Sequence, residues 1–453
     1  MIEAGRLGSA AFRAAYGVRY AYGAGAMYKG IASVDLVLAM GRAGLMSYFG
    51  TGGLTTEEVE GALARIQQAL PAGAPFGMNL LNSLDQPELE ERTVALYLQR
   101  GVRCIEAAAY MQVSGPLVWF RLRGARRGPD GAIEVPNRVL AKVSRPEVAQ
   151  AFMLPAPPEL VRQLVQAGRL TSEEAQLAGE IPMADDICVE ADSGGHTDQG
   201  VALALLPAMV ALRQQLQAQH PLALPLRIGA AGGIGTPAAA AAAFTLGADF
   251  IVTGSINQCT VEAGISDAVK DLLQDAGVQD TDYAPAGDMF ELGAKVQVLR
   301  KGLFFPARAN KLYELYQRHG SLDEIDERTR RQIEEKYFRR PIEQVWAETR
   351  DYYLRSGRLT AEELERPRQK MALVFKWYFT HSARLARQGA PEQRVDYQIH
   401  CGPALGAFNA WVKGTELEPW RNRQVADIGC RIMEGAVDHL NLWLRGFAQE
   451  EVA

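Results

Sequence analysis

The chain is poor in cysteine, has no long apolar run and carries no strong excess of either charge. Its five cysteines, Cys104, Cys188, Cys259, Cys401 and Cys430, are scattered and odd in number. No CxxC pair and no Cys/His metal spacing occurs, so neither a disulfide framework nor a metal site is expected, and a reducing cytoplasm suits the chain. No stretch of about 18 apolar residues is present, so no membrane-spanning helix is expected. The amino terminus lacks a basic region followed by an apolar one, so no signal peptide is read. A net charge of −5 argues against non-specific nucleic-acid binding. No repeat emerges beyond a strand–helix rhythm, no carboxylate cluster suits a metal, and no Ser-His-Asp arrangement stands out.

At 453 residues, 48% of them hydrophobic, the chain is long enough for two or more domains. Its most informative stretch is Leu226–Gln258. Arg227–Ala230 reads as a buried strand and Gly229–Gly235 as a break. Thr236 is a helix cap, Pro237 suits the first helical position, and six alanines follow. Gly247 ends that helix, and Ala248–Thr253 is a second buried strand closed by Gly254 and Ser255. This is a βαβ unit with glycines at the carboxyl ends of both strands, where bare backbone N–H groups can bind phosphate.

Six more strands precede it: Tyr20–Met27, Leu45–Phe49, Pro75–Leu81, Cys104–Ala109, Val139–Val143 and Asp186–Ala191. Helices are expected between them, one capped by Ser33, one opened by the Thr55/Glu58 capping box, one over Pro87–Gln99 and one over Val201–Gln219. Residues 1–18 read as a lead-in, and Leu117–Val135 as a β-hairpin insertion (about 113–136) with its turn at Pro129–Gly131. Eight strands ending in paired phosphate loops point to an α/β fold, a (β/α)8 TIM barrel, over an open sheet. The barrel is expected over 1–287. A mainly helical domain follows over 288–400, and 401–453 is expected to be a loop-rich stretch and a closing helix over Arg423–Phe447.

Active sites of such barrels lie at the carboxyl ends of the strands, which selects the candidates. They are Gly25, Ala26 and Met27 at the end of strand one, Asn79 on strand three, Lys142 on strand five, Asp192, Gly194, Gly195 and His196 after strand six, Gly232 and Gly233 after strand seven, and Gly254 and Ser255 after strand eight. His196 could protonate or hydrogen-bond a substrate carbonyl, or anchor a loop through Asp192 or Asp198. Lys142 could set its charge near an electron-rich ring, or reach solvent. Asn79 could bond a ring edge or cap a loop. Arg121, Arg123, Arg126 and Arg127 read as a solvated hairpin face or a dock for an acidic partner. Phe304 and Phe305 suit either an acyl pocket or core packing, and Trp346, Tyr352, Tyr353, Trp377 and Tyr378 suit a core.

The segments YGAGAMYKGIAS, FGMNLL, LAKVSRPEVA, EADSGGHTD, GAAGGIGTP and ADFIVTGSINQ resemble the nitronate monooxygenase and 2-nitropropane dioxygenase superfamily of FMN barrels. LRKGLFFPARANKLYELY and GPALGAFNAWVKGTELEPWRNRQVADI are similar to its PfaD type, the trans-acting enoyl reductases of polyketide and polyunsaturated fatty acid synthases. The resemblance runs from about residue 15 to 440. It implies FMN as cofactor, NADPH as reductant (NADH not being excluded), and an enoyl thioester on an acyl carrier protein of the synthase. It places the FMN phosphate on Gly232, Gly233, Gly254 and Ser255, the ring against Gly25–Met27 and Asn79, Lys142 at the pyrimidine edge, and His196 as the active-site histidine. The helical domain would be a lid or acyl-binding domain. A homodimer stays open, as do a nitronate monooxygenase and a non-catalytic scaffold.

Overall fold

The computed structural model describes residues 2–82, 87–220 and 222–450. They form two compact units: Met1–Asp192, Asp198–Gly264 and Trp411–Ala453 make the first, and Ser193–Thr197 with Ile265–Ala410 the second. The chain enters the second unit at Ile265, ahead of Asp288.

The first unit is a closed barrel of eight parallel strands, each hydrogen-bonded to its sequence neighbours. They are β1 Tyr22–Ala24, β2 Met46–Phe49, β3 Gly77–Leu81, β4 Cys104–Ala108, β5 Arg138–Val143, β6 Asp186–Glu190, β7 Arg227–Ala231 and β8 Phe250–Thr253. The ring closes where Tyr22, Gly23 and Ala24 pair with Ile251, Val252 and Thr253. The connecting helices start where short polar side chains can take up orphan amides. Ser33 accepts from Leu36 N, Thr55 and Glu58 form a reciprocal capping box, and Thr236 accepts from Ala239 N ahead of Pro237.

Three local expectations change. Residues 1–18 are more than a lead-in. Ser9 caps the helix Ala10–Tyr16, which plugs the amino end of the barrel. Phe12 stacks on Phe250 with centroids 4.4 Å apart, and the Tyr16 hydroxyl donates to Asp186 at 2.7 Å. Asp186 also receives both arms of Arg227, at 2.6 and 2.7 Å. The first half of the expected hairpin is the helix Gly115–Leu122, capped by Ser114 with proline in its first turn, and only Arg126–Arg127 and Ile133–Glu134 form the ribbon. Arg121 therefore does not share the hairpin face. It is fully buried, paired with Asp185 at 2.7 Å and bonded to the carbonyls of Asn137 and Pro182. Gly229 lies inside β7 and does not break it: a Cβ there would come within 2.2 Å of the Phe250 ring.

The second unit carries a three-stranded sheet as well as helices, ordered Thr281–Pro285, Lys295–Leu299, Gly195–His196. Its core is aromatic: Phe290, Phe305, Tyr316, Phe338, Phe375 and Tyr378 are buried together. Phe305 is thus core, while Phe304 beside it is exposed. Trp346 and Trp377 pack on the core's edge, but Tyr352 is exposed. Residues 403–412, expected as loop, are a helix. Its Gly406 lets the backbone approach Gly277, since a Cβ there would fall 2.2 Å from the Gly277 carbonyl carbon. Among the described residues no helix is long and apolar enough to cross a membrane.

Replacing Arg121 by Met leaves Asp185 without its buried guanidinium. Urea unfolding followed by circular dichroism should show a loss of about 3–5 kcal/mol, whereas Arg126→Met, on the exposed ribbon, should cost less than about 1 kcal/mol.

Candidate functional site

At the barrel's carboxyl-terminal mouth a polar network joins β1, β3 and β4, and an ion pair links β5 to β6. Glu106 on β4 is its centre. The side chain is only 1% exposed. Both carboxylate oxygens accept from Ala26 N–H at 3.2 Å, and Oε2 also accepts from Asn79 Nδ2 at 3.2 Å. Asn79 gives the same amide to the Glu106 carbonyl at 3.0 Å, while its own carbonyl accepts from Thr51 and Tyr97. Gly25 sits against the carboxylate, where a Cβ would lie 3.3 Å from Glu106 Oε1. Lys142 on β5 pairs through Nζ with Glu190 Oε1 on β6 at 3.0 Å.

Burial pushes the Glu106 carboxyl up to about 7, and Glu190 adds to the rise. Lys142, the Ala26 amide and Asn79 act in the opposite sense. Burial alone would lower Lys142, but Glu190 and Glu106 outweigh it and hold the ammonium charged. Two carboxylates thus share one cation in a poorly hydrated site, where the second negative charge is costly. Neither acid is singled out by the strand-end reading of the sequence. The available signal is a single glutamate inside each of two short strands, CIEAA and DICVE, whose middle residues are apolar.

The turns after β7 and β8 differ in what they require of glycine. Gly232 and Gly233 both have left-handed φ, +86° and +73°. A Cβ on Gly232 would come within 2.7 Å of the Ala191 carbonyl, whereas on Gly233 or Gly254 it would meet nothing within 4 Å. Ser255 opens the short helix Ser255–Gln258, and Asn257 and Tyr22 brace Thr253 at the end of β8. Met27 also lies where backbones close in, since a Cβ on Gly50 would clash with its carbonyl at 1.7 Å. The residues fit a phosphate-bearing ring cofactor: bare glycine backbone with open space beside it, and an ammonium and an amide at the mouth.

Asp192 stays with the barrel, its N–H bonded to the Gly200 carbonyl, while Gly194, Gly195 and His196 belong to the second unit. There Gly195 and His196 pair with Gln297 and Val296. His196 Nε2 meets Asp288 Oδ1 at 2.9 Å. Asp198 is held by Ser144 and Arg145. His400 is near: its Nδ1 would lie 3.5 Å from a Cβ on Gly195. Burial and the neighbouring His196 push His400 down to about 4, so it stays neutral. A separate cavity of about 410 Å³, lined by Arg126, Glu134, Arg138 and Asp185 among others, lies by the amino ends of β5 and β6, and none of the candidate site residues lines it.

The enoyl reductase domain of MlnA, from the macrolactin cluster of Bacillus amyloliquefaciens, superposes with a TM-score of 0.94 and 46% identity, covering 98% of this chain and 99% of that one. The chain belongs to the PfaD-type enoyl reductase family. Two curated relatives agree. Polyketide biosynthesis protein PksE of Bacillus subtilis is 55% identical over 432 residues, 95% of this chain and 56% of that protein. One component of the polyunsaturated fatty acid synthase of a Thraustochytrium species is 43% identical over 442 residues, 95% of this chain and 29% of that protein. This PfaD-type chain spans about half the length, or less, of the curated relatives it matches most extensively. FabK of Thermotoga maritima shares the fold at 17% identity and a TM-score of 0.57. Residues 319–397 match the inserted helical domain of [acyl-carrier-protein] S-malonyltransferase.

The Glu106 carboxyl has a folded-state pKa above its unfolded one, so its ionisation opposes folding as pH rises from about 4.5 to about 7. At about 1.4 kcal/mol per pH unit, Glu106→Gln should gain about 3 kcal/mol over wild type between pH 4.5 and pH 8, measured by urea unfolding of the flavin-free protein at both values.

Proposed function

We propose that this chain is an FMN-dependent enoyl reductase that acts in trans on trans-2-enoyl thioesters carried by the acyl carrier protein of a polyketide or polyunsaturated fatty acid synthase. The single observation that carries this reading is the full-length likeness to the MlnA enoyl reductase domain, and the polar mouth of the barrel supports it. NADPH is the proposed reductant, with NADH as the alternative, and the cytoplasm the proposed location. The match of 319–397 to a helical domain named for acyl-carrier-protein chemistry supports a carrier-borne acyl group as the substrate of the helical unit.

Bound FMN would supply hydride transfer from the nicotinamide to the β-carbon of the enoyl thioester. The glycines after β7 and β8, with Ser255, would hold its phosphate, and Gly25–Met27, Asn79 and Lys142 would line the ring. The Lys142 ammonium would stabilise negative charge there. His196 donates to the thioester oxygen, where charge develops, or gives the α-carbon its proton. Asp288, held to His196 at 2.9 Å, fixes the orientation of the imidazole ring. Burial raises the Asp288 carboxyl, but the hydrogen bond and charge of His196 outweigh it and keep the acid below its usual range.

Loss of one such donor costs about a hundred- to a thousandfold in rate. His196→Ala should retain FMN by absorbance and lose enoyl reduction by that factor, in anaerobic stopped-flow assays with NADPH and a carrier-bound crotonyl thioester. Full activity in the variant would reject the role of His196. A wild-type protein that consumes nitronate without oxidising NADPH would instead favour the oxygenase reading, and one that FMN cannot colour would favour a scaffold.

A further inference from the structure

Glu106 has no role in the reaction as described, yet it is the most enclosed acid at the mouth. Its surroundings are drawn from around the ring of strands. The Ala26 amide comes from the turn after β1 and the Asn79 amide from β3. Lys142 of β5 and Glu190 of β6 act on it electrostatically, and Tyr48 of β2 and Cys188 of β6 lie within electrostatic reach. One cation therefore serves two carboxylates, and Lys142 is committed to Glu190 at 3.0 Å. Among the described residues the remaining acid keeps hydrogen-bond donors but no counter-ion of its own, so its charge responds to any further charge placed beside it.

We infer that Glu106 is the proton-holding group of this site, taking up one proton when the adjacent bound ring gains negative charge and releasing it when that charge departs. The inference rests on the flavin reading above. A nicotinamide hydride brings two electrons and one proton and leaves the nucleotide oxidised, so the ring gains one negative charge. Lys142, already paired with Glu190, steadies that charge but leaves the pocket one unit more negative than before. A proton moving from solvent to the Glu106 carboxylate restores the net charge of the pocket. When the hydride passes on to the β-carbon, the ring's added charge is gone and the Glu106 proton returns to solvent. Asn79 can follow the change, because its amide retains the Glu106 main-chain carbonyl as acceptor.

The experiment is a potentiometric titration of the bound flavin in the holoenzyme across pH, with redox dyes, in wild type and Glu106→Gln. Each proton taken up with an electron pair makes reduction tenfold more favourable per unit fall in pH, about 30 mV for two electrons. Wild type should show a segment steeper by that amount, starting near neutral pH and running upward, because below it Glu106 is protonated in both redox states. Glu106→Gln, which keeps an acceptor for Ala26 N–H, should lack that segment. A Gln variant that binds FMN and keeps the segment overturns the inference. If the variant sheds FMN, reductive infrared difference spectra of wild type decide: a new carboxylic-acid C=O band supports the inference and its absence refutes it. Flavin bound by wild type with no steep segment removes the inference alone. Wild type that binds no flavin removes the flavin reading and the inference with it.

Discussion

Closure of eight parallel strands is the constraint on which the rest of the first unit depends. A three-residue strand, Tyr22–Ala24, completes the ring by pairing with β8 on one side and β2 on the other. Once closed, the interior has a fixed volume that inward side chains must fill in layers. Large rings are admitted only where a neighbour gives up its side chain. Gly77 makes room for Tyr48 and Gly229 for Phe250, each with a Cβ position less than 2.5 Å from the facing ring. The plug Ala10–Tyr16 completes the amino end with Phe12 and Tyr16. Charged groups gather at its two ends, Asp186 with Arg227 at the base and Glu106, Lys142 and Glu190 at the mouth.

Local chemistry makes much of this legible. Caps at Ser33, Thr55 and Thr236 depend on residues three apart, and the strands run as short apolar segments between glycines. Arg121 is misplaced by sequence because a buried arginine and a solvated one look alike there; its acidic partner Asp185 lies 64 positions away. The sheet strand Lys295–Leu299 shows alternation in KVQVL, but its partner Gly195–His196 is two residues long and distant in the chain. The helix Pro403–Val412 is hidden for a similar reason: its Gly406 marks a close backbone approach, and glycine in sequence reads as a break.

The candidate site divides along the same line. Positions named by a strand-end rule, Asn79 and Lys142, do lie at the mouth. What the rule does not supply is the acid that connects them. Glu106 becomes meaningful only when β1, β3 and β5 are seen to surround it, and pairing of that kind is set by barrel register. The same holds for His196, whose partner Asp288 lies 92 positions further along.

The pairing of Gly195 and His196 with Gln297 and Val296 bears on modularity. The helical unit borrows its outermost strand from a barrel loop, so it is an insertion stitched to its host at two separate places along the polypeptide. Cutting out Ile265–Ala410 as one piece would strip Lys295–Leu299 of a hydrogen-bonded neighbour and bare a sheet edge, a surface prone to self-association. A domain exchange among related reductases would have to carry the pentapeptide Ser193–Thr197 along with the larger segment.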